Sequence, residues 1–456
     1  MFKLPVFVEN FMDDFRKKKY QIYLVGGAVR DLVSFKKDID WNFADFATDA
    51  TPDEIQKLFP DSFYDNAFGT VGVKIKNADK EYVFEVTTFR KEGKYVDLRH
   101  PEKIEWAKTI TEDLARRDFT INAMALRQAQ GKHAGYELID PYSGRGHLEK
   151  KLVVAVGDPD LRFSEDALRL IRAVRFAAEL GFFLDEKTRE SMRKNAHLIT
   201  KIAWERIRDE FLKILASDHP SEGVLFLRST GILEQILPEI DLCFEIPQKS
   251  PKRHHIYDVG THLVMSLKHC PSKDPITRFA TLLHDIGKAK TFKKDPETGL
   301  ITFYNHEVVG AKLASKIADR FRLSKKERHK LITLVRQHQF TVAEMQTDKA
   351  IRRFIRNVGK EYLGDILDLR TGDRVGSGAT RTSWRLELFK KRLQEVQKEP
   401  LKVTDLKISG NDVMRELNLK PGPKVGEILN KLFEEVVEGK LKNEKEVLLS
   451  KLKDSQ

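Results

Sequence analysis

The hydrophobic pattern of this 456-residue chain changes near residue 140, and the change limits the folds that the chain can adopt. Before that point, apolar runs typical of β-strands alternate with helical segments, and the clearest runs are 21–25, 71–75 and 81–89. After it, apolar residues recur at helical spacing, as in 164–180. The sequence therefore predicts an α+β protein, with a small α/β head followed by a long all-α region.

Composition excludes several classes of protein. The chain contains no run of about 18 apolar residues, so we expect no membrane span and no membrane partner. Proline and acidic residues interrupt the first fifteen positions, which therefore do not resemble a secretory signal. Two cysteines, Cys243 and Cys270, are too few for a disulfide framework, and we expect a cytoplasmic protein. The net charge of +12 favours a polyanionic partner, although solubility alone would also account for it.

Two aspartates, Asp38 and Asp40, are the sharpest chemical feature of the head. On an extended strand, residues two apart point to the same side, so both carboxylates can reach one metal ion. Mg²⁺ prefers oxygen ligands and commonly binds one or two carboxylates together with substrate phosphates. Glu85 is a candidate for a third carboxylate. An Asp-x-Asp pair alone is a weak signal, because surface aspartates are commonly just solvated.

A glycine turn just upstream of the two aspartates predicts a phosphate-binding site. Gly26 and Gly27 separate a strand from a helix, where backbone amides can receive a phosphate with no Cβ in the way. Arg30 adds a fork of hydrogen-bond donors. The combination of this turn with the two aspartates within fifteen residues is much more specific than either feature alone.

A helix that we expect to be capped by Ser164 carries charged residues every three positions. They are Asp166, Arg169, Arg172 and Arg175. Because a helix advances about 100° per residue, Asp166 and Arg169 are neighbours, whereas Arg175 lies on the far side. A carboxylate only accepts hydrogen bonds and a guanidinium only donates them, so this pair matches the base edge of cytosine and adenine but not that of uracil or guanine. Such spacing usually indicates ion pairs on a solvent-exposed face of a helix.

Histidines and aspartates recur through the helical region 256–385. They are His262, His284, Asp285, His306, His338 and Asp373. Mixed imidazole and carboxylate ligands suit divalent transition metals or Mg²⁺ better than a closed structural zinc site. The run LLHDIGK at 282–288 resembles the signature of HD phosphohydrolases. That resemblance implies a metal site on His262, His284, Asp285 and Asp373, with His306 and His338 as ligands of a second ion. The domain could equally be a structural spacer.

Long motifs across nearly the whole chain resemble one enzyme superfamily. They read VGGAVRD with DID, FEVTTFR, LARRDFTINAMAL, DPYSGR, RFSEDALRLIRAVRF and ISGNDVMRELNLKPGPKVGEILNKL. These motifs are similar to those of class II tRNA nucleotidyltransferases and bacterial poly(A) polymerases, and RRDFTINAMA resembles the CCA-adding branch more. The resemblance implies template-independent addition of C and A nucleotides to the tRNA 3′ end, from CTP and ATP with Mg²⁺.

The resemblance also implies roles for individual residues. The expected catalytic carboxylates are Asp38, Asp40 and Glu85, with the first two holding Mg²⁺. The expected nucleotide-binding residues are Gly27, Arg30, Arg117, Asp166, Arg169, Arg172 and Arg175. Arg172 and Arg175 are expected either to bind phosphate or to stabilise the fold. Arg116 is expected to form an ion pair with an acidic side chain. Segment 97–101 resembles a loop used in switching from C to A addition.

The chain departs from the family pattern between the first helix and the second strand. The family has a glycine after Arg-Asp and a DxD followed directly by Phe-Ala-Thr. Here the run LVSFKK lacks the glycine, and five residues, 41–45, separate Asp40 from the Phe-Ala-Thr at 46–48. Asp45 competes for the catalytic role because it directly precedes that motif. We favour Asp38 and Asp40, because only they have the spacing of a shared strand face.

We expect four domains: a nucleotidyltransferase head at 1–140, an RNA-binding neck at 141–245, an HD domain at 246–385 and an RNA-binding tail at 386–456. CCA addition to tRNA is the leading function. The alternatives are a poly(A) polymerase, an enzyme that adds only A or only CC, an HD phosphohydrolase whose head only binds RNA, and a non-enzymatic RNA-binding protein. No DNA specificity is expected.

Overall fold

The computed structural model describes residues 2–36, 38–65, 69–92, 104–129, 135–248, 257–344, 346–397, 403–437 and 440–454. The chain divides into two compact units, Met1–Asp241 and Leu242–Gln456. The finer division into four domains stays a prediction, and segment 97–101 lies outside the described residues. Within the described ranges, no helix has the length and apolar character that a membrane span requires.

The first unit begins with a seven-stranded sheet and short helices, as the change of pattern near residue 140 predicts. The strands are β1 (Ile22–Val25), β2 (Asp45–Thr48), β3 (Phe63–Asp65), β4 (Thr70–Asn77), β5 (Lys80–Thr88), β6 (Arg90–Glu92), β7 (Ile104–Trp106), β8 (Ala125–Gln128) and β9 (Tyr136–Ile139). The helices are α1 (Val6–Lys17), α2 (Gly26–Val33), α3 (Pro52–Leu58) and α4 (Ile110–Ala115). The sheet order is β3-β4-β5-β2-β1-β8-β9, whereas β6 and β7 pair separately.

Local sequence signals explain how these elements begin and pack. Helix α3 starts with a capping box, in which the Glu54 carboxylate accepts a hydrogen bond from the Thr51 amide at 2.8 Å. On one face of the sheet, the buried Phe11 ring of α1 contacts Phe46 and Phe84, with ring centroids 4.9 and 5.0 Å apart. Because the aromatic core covers one face of β2, polar side chains can occupy the opposite face.

The rest of the first unit is helical apart from two short strands. It contains α5 (Gly144–Glu149), β10 (Leu152–Val153), α6 (Pro159–Glu165), α7 (Leu168–Leu180), β11 (Phe183–Leu184), α8 (Glu186–Asn195), α9 (Trp204–Ala216), α10 (Pro220–Ser229), α11 (Ile232–Ile236) and α12 (Pro238–Asp241). The prediction of one helix capped by Ser164 is wrong, because Asp166 has an extended backbone (φ −137°, ψ 102°) between α6 and α7.

The second unit is also helical, with one short strand pair. It contains α13 (Val259–Lys268), α14 (Pro275–Leu283), α15 (Lys288–Thr291), β12 (Lys293–Lys294), β13 (Ile301–Thr302), α16 (His306–Arg320), α17 (Lys325–Gln337), α18 (Asp348–Val358), α19 (Leu363–Gly376), α20 (Trp384–Val396), α21 (Gly410–Leu417), α22 (Pro423–Val437) and α23 (Lys445–Lys453). The last three helices share an apolar core that includes Val413, Phe433 and Leu448.

Candidate functional site

One carboxylate of the head sheet faces a basic pocket. Asp45, the first residue of β2, lies beside Val25 of β1 and Glu85 of β5 in the strand register. Residues paired in this way point to the same face of a sheet. The pocket measures about 310 Å³. Its lining residues are Val25, Asp45, Phe46, Thr87, Arg90, Arg116, Arg117, Asp118, Asp166, Arg169 and Arg172.

The glycine turn holds the Asp45 carboxylate against the start of α2. Gly26 has a φ of +70°, and a Cβ at this position would lie 2.7 Å from Asp45 Oδ2. The positive φ favours glycine, and a larger residue here would also displace the Asp45 carboxylate. Burial raises the pKa of Asp45, and the charges of Arg117 and Arg172 act in the opposite direction. Among the described residues, the Asp45 carboxylate has no hydrogen-bond or ion-pair partner, so its oxygens remain available to a ligand.

Asp38 and Asp40 are not on a strand, so the expectation of a shared strand face is wrong for them. Both are exposed in the loop between α2 and β2, where the Asp40 carboxylate accepts a hydrogen bond from the Asn42 amide at 2.9 Å. Neither residue lines the pocket around Asp45. The spacing rule fails because its premise, an extended backbone at 38–40, is not met. A catalytic role for the pair stays a prediction.

A local irregularity separates this loop from β2. The Phe43 amide donates to the Val83 carbonyl at 2.7 Å, and the Glu85 amide donates to the Ala44 carbonyl at 2.9 Å. Two residues, Phe43 and Ala44, therefore stand opposite the single residue Phe84, which is the definition of a β-bulge. Regular pairing resumes at Asp45. The bulge thus makes Asp45 the first carboxylate of the strand.

The other residues predicted in the head lie at or near this turn. Glu85 is half-buried beside Asp45 on β5. Gly27 is in the first turn of α2. The Arg30 guanidinium donates to Asp31 at 2.9 Å and to Asn122 at 3.1 Å. These contacts anchor α2, and Arg30 is not among the residues that line the pocket.

Two aspartates that the sequence analysis did not select hold the pocket arginines. Asp113 is fully buried, 2.7 Å from Arg116 Nη2 and 3.2 Å from Arg117 Nη2. The prediction that Arg116 pairs with an acidic side chain is thereby confirmed. Asp118 binds Arg172 through Nε and Nη2, at 2.9 and 2.5 Å. The spacing of Asp113, three and four residues before the arginines on a helical turn, is a signal that could have identified it.

Asp166 and Arg169 both line the pocket, as their predicted role requires. The extended backbone of Asp166 lets one carboxylate oxygen accept from the Leu168 amide at 3.0 Å, while the other lies 3.4 Å from Arg206 Nη2. The buried Arg169 guanidinium donates to Glu165 at 2.6 Å and to the Arg116 carbonyl at 2.9 Å. Arg169 therefore also fixes the backbone beside Arg117.

Arg175 lies outside the pocket lining. Its guanidinium is 3.2 Å from a Glu210 carboxylate oxygen and lies over the Phe176 ring, 4.3 Å from the centroid. Arg175 is buried, and burial lowers its pKa. These contacts favour a structural role for Arg175 over phosphate binding. Both roles were open from the sequence.

In the second unit, the six predicted histidines and aspartates converge. His262, His284 and Asp373 form one group of possible metal ligands, and Asp285, His306 and His338 form a second. Asp285 connects the groups, because its Oδ2 lies 3.4 Å from both His262 Nε2 and His284 Nε2. Its Oδ1 lies 3.1 Å from His306 Nε2 and 3.5 Å from His338 Nε2.

Backbone carbonyls orient three of the imidazole rings. The Nδ1 atoms of His284, His306 and His338 lie 2.7, 2.8 and 2.8 Å from the carbonyls of residues 281, 303 and 335. A carbonyl only accepts, so each Nδ1 carries the proton and each Nε2 faces the cluster, as in metal-binding histidines. Glycine completes the geometry, because a Cβ at Gly372, next to Asp373, would lie 2.5 Å from the Ser266 carbonyl of α13.

The electrostatics of this cluster favour a cation. Burial alone would lower the pKa of His284, but the carboxylates of Asp285 and Asp373 outweigh burial and raise it to about 10. The Lys288 ammonium lies 2.5 Å from Asp285 Oδ2, and Arg370 Nη1 lies 3.2 Å from Asp373 Oδ2. A cavity of about 480 Å³ opens beside the cluster, with both basic residues in its lining. It can therefore admit an anionic molecule to the buried ligands.

Three family models match successive parts of the chain. The "Poly A polymerase head domain" matches residues 22–154, the "Probable RNA and SrmB- binding site of polymerase A" matches 181–243, and the second domain of tRNA nucleotidyltransferases matches 302–452. The A-adding tRNA nucleotidyltransferase of Deinococcus radiodurans is 34% identical over 429 residues, which is 90% of each chain. The CCA-adding enzyme of a Geobacillus species is 31% identical over 431 residues, 94% of this chain and 91% of that one.

Solved structures agree with these relatives. The Bacillus stearothermophilus CCA-adding enzyme in complex with CTP superposes with a TM-score of 0.71 at 25% identity, covering 99% of this chain and 98% of the other. The Thermotoga maritima CCA-adding enzyme complexed with tRNA gives a TM-score of 0.60 at 18% identity, covering 99% and 96%. The second likeness supports the fold alone.

Replacing Asp113 with asparagine should destabilise the protein in a pH-dependent way. The variant leaves Arg116 and Arg117 without their buried counter-charge, which typically costs about 3–5 kcal/mol. Burial would raise the pKa of Asp113, but the two arginines outweigh it and hold that pKa below its usual range. The stabilisation is therefore present above the unfolded-state pKa of about 4 and is lost as the pH falls through the lower, folded-state value.

Urea unfolding of wild type and Asp113→Asn between pH 7 and pH 3 measures this effect. The difference in unfolding free energy should be constant above about pH 5 and shrink below about pH 4. Asp209→Asn is the matched control, because Asp209 pairs with Arg208 at 2.8 Å but its side chain is 55% exposed. The control should cost under about 1 kcal/mol. A difference for Asp113→Asn that persists unchanged at pH 3 would contradict the interpretation.

Proposed function

The chain belongs to the family of class II tRNA nucleotidyltransferases, the CCA-adding enzymes, and we propose that it adds C and A nucleotides to the 3′ end of tRNA from CTP and ATP with Mg²⁺. The observation that carries this proposal is the pocket in which Asp45 meets Arg117, Arg172 and the pair of Asp166 and Arg169. It combines a carboxylate for a metal ion, cations for phosphates and a polar edge for a base. A cytoplasmic location stays a prediction.

In the proposed reaction, the RNA 3′-hydroxyl attacks the α-phosphorus of the nucleotide, and the bond to pyrophosphate breaks. Arg117 and Arg172 provide positive charge for the triphosphate, and the amides at the start of α2 add further donors. Asp45 offers unpartnered carboxylate oxygens to a hard cation, which fits Mg²⁺. When bound there, Mg²⁺ would stabilise negative charge on the phosphate oxygens and the attacking oxygen.

Base selection is proposed to reside in Asp166 and Arg169. The Asp166 carboxylate can accept from the exocyclic amino group of cytosine or adenine, and a guanidinium can donate to the adjacent ring nitrogen. Most of the Arg169 donors are already engaged with Glu165, the Arg162 carbonyl and the Arg116 carbonyl. Arg206, 3.4 Å from Asp166, was not selected from the sequence and is positioned to orient that carboxylate.

A single-nucleotide assay tests the activity itself. Transfer RNA lacking CCA and the same tRNA ending in CC are each incubated with labelled CTP alone, ATP alone or both. Addition of two C residues and then one A supports full CCA addition. Because the Deinococcus radiodurans relative is an A-adding enzyme, ATP use that requires a preformed CC end would indicate that alternative. Long A tails on unrelated RNA would indicate a poly(A) polymerase, and no incorporation at all would refute the proposal.

Asp45→Asn should abolish nucleotide incorporation and leave tRNA binding largely intact. The substitution keeps the size of the side chain but removes the charge that a metal ion requires, so kcat should fall at least a hundredfold, or about 2.7 kcal/mol of transition-state stabilisation. Radiolabelled CTP incorporation and a tRNA binding titration measure the two effects.

The matched controls are Asp38→Asn and Asp40→Asn, since both residues are exposed outside the pocket. Each should retain activity within a few-fold of wild type. Loss of activity in either control, with an active Asp45→Asn, would restore the assignment made from the Asp-x-Asp spacing.

Asp166→Asn should change the nucleotide preference. Asparagine has nearly the shape of aspartate but presents an NH₂ donor, which suits the carbonyl of uracil or guanine. The ratio of kcat/KM for CTP over UTP should fall about tenfold or more, corresponding to the loss of one hydrogen bond to a charged group. Asp160→Asn, outside the pocket on α6, provides the control. An unchanged CTP-to-UTP ratio would rule out base reading by Asp166.

A second candidate function is phosphate-ester hydrolysis in the HD domain, supported by the two groups of ligands around Asp285. The six residues offer imidazole nitrogens and carboxylate oxygens, a set that fits a divalent transition metal or Mg²⁺. A metal ion there would activate water. Lys288 and Arg370 at the cavity could bind the phosphate of a phosphomonoester or a 2′,3′-cyclic phosphate.

His306→Ala combined with His338→Ala should reduce the metal content of the purified full-length protein and abolish hydrolysis of 2′,3′-cyclic AMP. CTP incorporation should continue, because the two sites share no ligand. Elemental analysis and a phosphate-release assay with added Ni²⁺, Mn²⁺ or Mg²⁺ measure the outcome. His329→Ala, an imidazole outside both ligand groups, is the control. No metal in the wild type and no hydrolysis would favour a structural spacer.

A further inference from the structure

Two exposed phenylalanines occupy the loop between α2 and β2, in backbone conformations that phenylalanine rarely adopts. Phe35 is 82% exposed and Phe43 is 57% exposed. Their φ values are +54° and +58°. Among the described residues, nine residues other than glycine have a positive φ, and these two are the only aromatic ones. Left-handed backbone is unfavourable for a bulky side chain, so the loop keeps strained residues that bury little surface.

The ending of α2 shows that Phe35 is not needed for local structure. The Phe35 amide donates to the Leu32 carbonyl and the Lys36 amide donates to the Asp31 carbonyl, both at 3.1 Å. This is the hydrogen-bond pattern of a helix end at which glycine is ordinarily preferred. Since neither packing nor backbone preference favours phenylalanine here, the exposed ring requires another explanation.

The position of the two rings suggests their ligand. Phe43 precedes Asp45 by two residues, at the bulge that leads into the pocket. Phe35 follows the far end of α2, whose first residue, Gly26, contacts Asp45. Eight residues of helix span about 12 Å. Stacked bases are about 3.4 Å apart, so α2 is as long as a stack of roughly three to four bases.

We propose that Phe35 and Phe43 stack on unpaired bases at the 3′ end of the acceptor RNA and guide that end toward Asp45. The inference rests on the proposed nucleotidyl transfer and adds a binding element to it. Aromatic side chains bind single-stranded RNA by stacking, which is tolerant of sequence. Such tolerance suits an acceptor whose last base changes with each addition.

The charges of the loop favour contact with bases over contact with phosphates. The Lys36 ammonium lies 3.2 Å from an Asp31 carboxylate oxygen. The exposed carboxylates of Asp38 and Asp40 would repel the RNA backbone. Residues 36–40 contain two lysines and two aspartates, so the loop has no net charge and offers ring faces rather than a basic surface.

The test compares tRNA ending in CC, which has three unpaired nucleotides, with the same tRNA trimmed to a blunt acceptor stem. In Phe35→Gly and Phe43→Gly, the dissociation constant for the unpaired end should rise by about fivefold to 150-fold, the range for loss of one stacked base. Affinity for the blunt tRNA should be unchanged. The slope of log affinity against log salt should also be unchanged, because no phosphate contact is removed. KM for tRNA should rise while KM for CTP stays constant.

Substitution by glycine distinguishes a role in RNA stacking from a role in stabilising the fold. Relief of the left-handed backbone should leave the Tm of Phe35→Gly equal to or above that of wild type, even as RNA affinity falls. Phe183→Ala is the matched control, since Phe183 is 65% exposed on β11 in the same compact unit. The control should bind both RNAs as wild type does.

Two outcomes would overturn the inference. One is equal affinity of wild type and both glycine variants for the unpaired end. The other is self-association of the wild type that Phe35→Gly abolishes without a change in RNA affinity, which would identify an interface between copies of the chain. Failure of the proposed function is distinguishable, because the wild type would then incorporate no nucleotide, whatever the binding results.

Discussion

The ion pair between Asp118 and Arg172 is the interaction on which the basic pocket around Asp45 depends. It joins residues 54 positions apart, one beside the head sheet and one on α7, at 2.5 Å. Asp113 makes the equivalent contact with Arg116 and Arg117 inside the head. Five arginines line the pocket, and uncompensated cations at this density would repel one another. The buried aspartates make the basic pocket possible because they offset part of that charge before any nucleotide binds.

Asp45 contrasts with these aspartates. Asp113 and Asp118 are fully engaged with guanidinium groups, which outweigh burial and hold their pKa values below the usual range. Asp45 faces the same pocket without a direct partner among the described residues, and burial raises its pKa. A carboxylate in that situation is poorly compensated by the protein alone. Its environment is better explained by a cationic ligand than by a contribution to stability.

Sequence patterns predicted the architecture and most of the residues that line the pocket, but not that Asp45 is the acidic residue at the start of β2. The change in periodicity near residue 140 was accessible because it depends on local spacing, whereas Arg117, Asp166 and Arg169 were selected with the help of motifs that resemble a known family. The bulge at Phe43 and Ala44 depends on hydrogen bonds to β5, about forty residues away. Spacing along the chain cannot reveal it. The extended backbone at Asp166 similarly interrupts a helix that periodicity alone makes continuous.

The six histidines and aspartates that converge in the second unit were more predictable, because the run LLHDIGK resembles a known signature. These residues come from positions 262 to 373, and Gly372 and Gly376 of α19 allow a close approach to Ser266 of α13. The sequence identified all six residues but not that Asp285 lies between the two groups. This position gives the single His-Asp pair a dual role: the histidine belongs to one group and the aspartate to the other. Loss of Asp285 would therefore disturb both groups, whereas loss of His306 or His338 removes a ligand from only one.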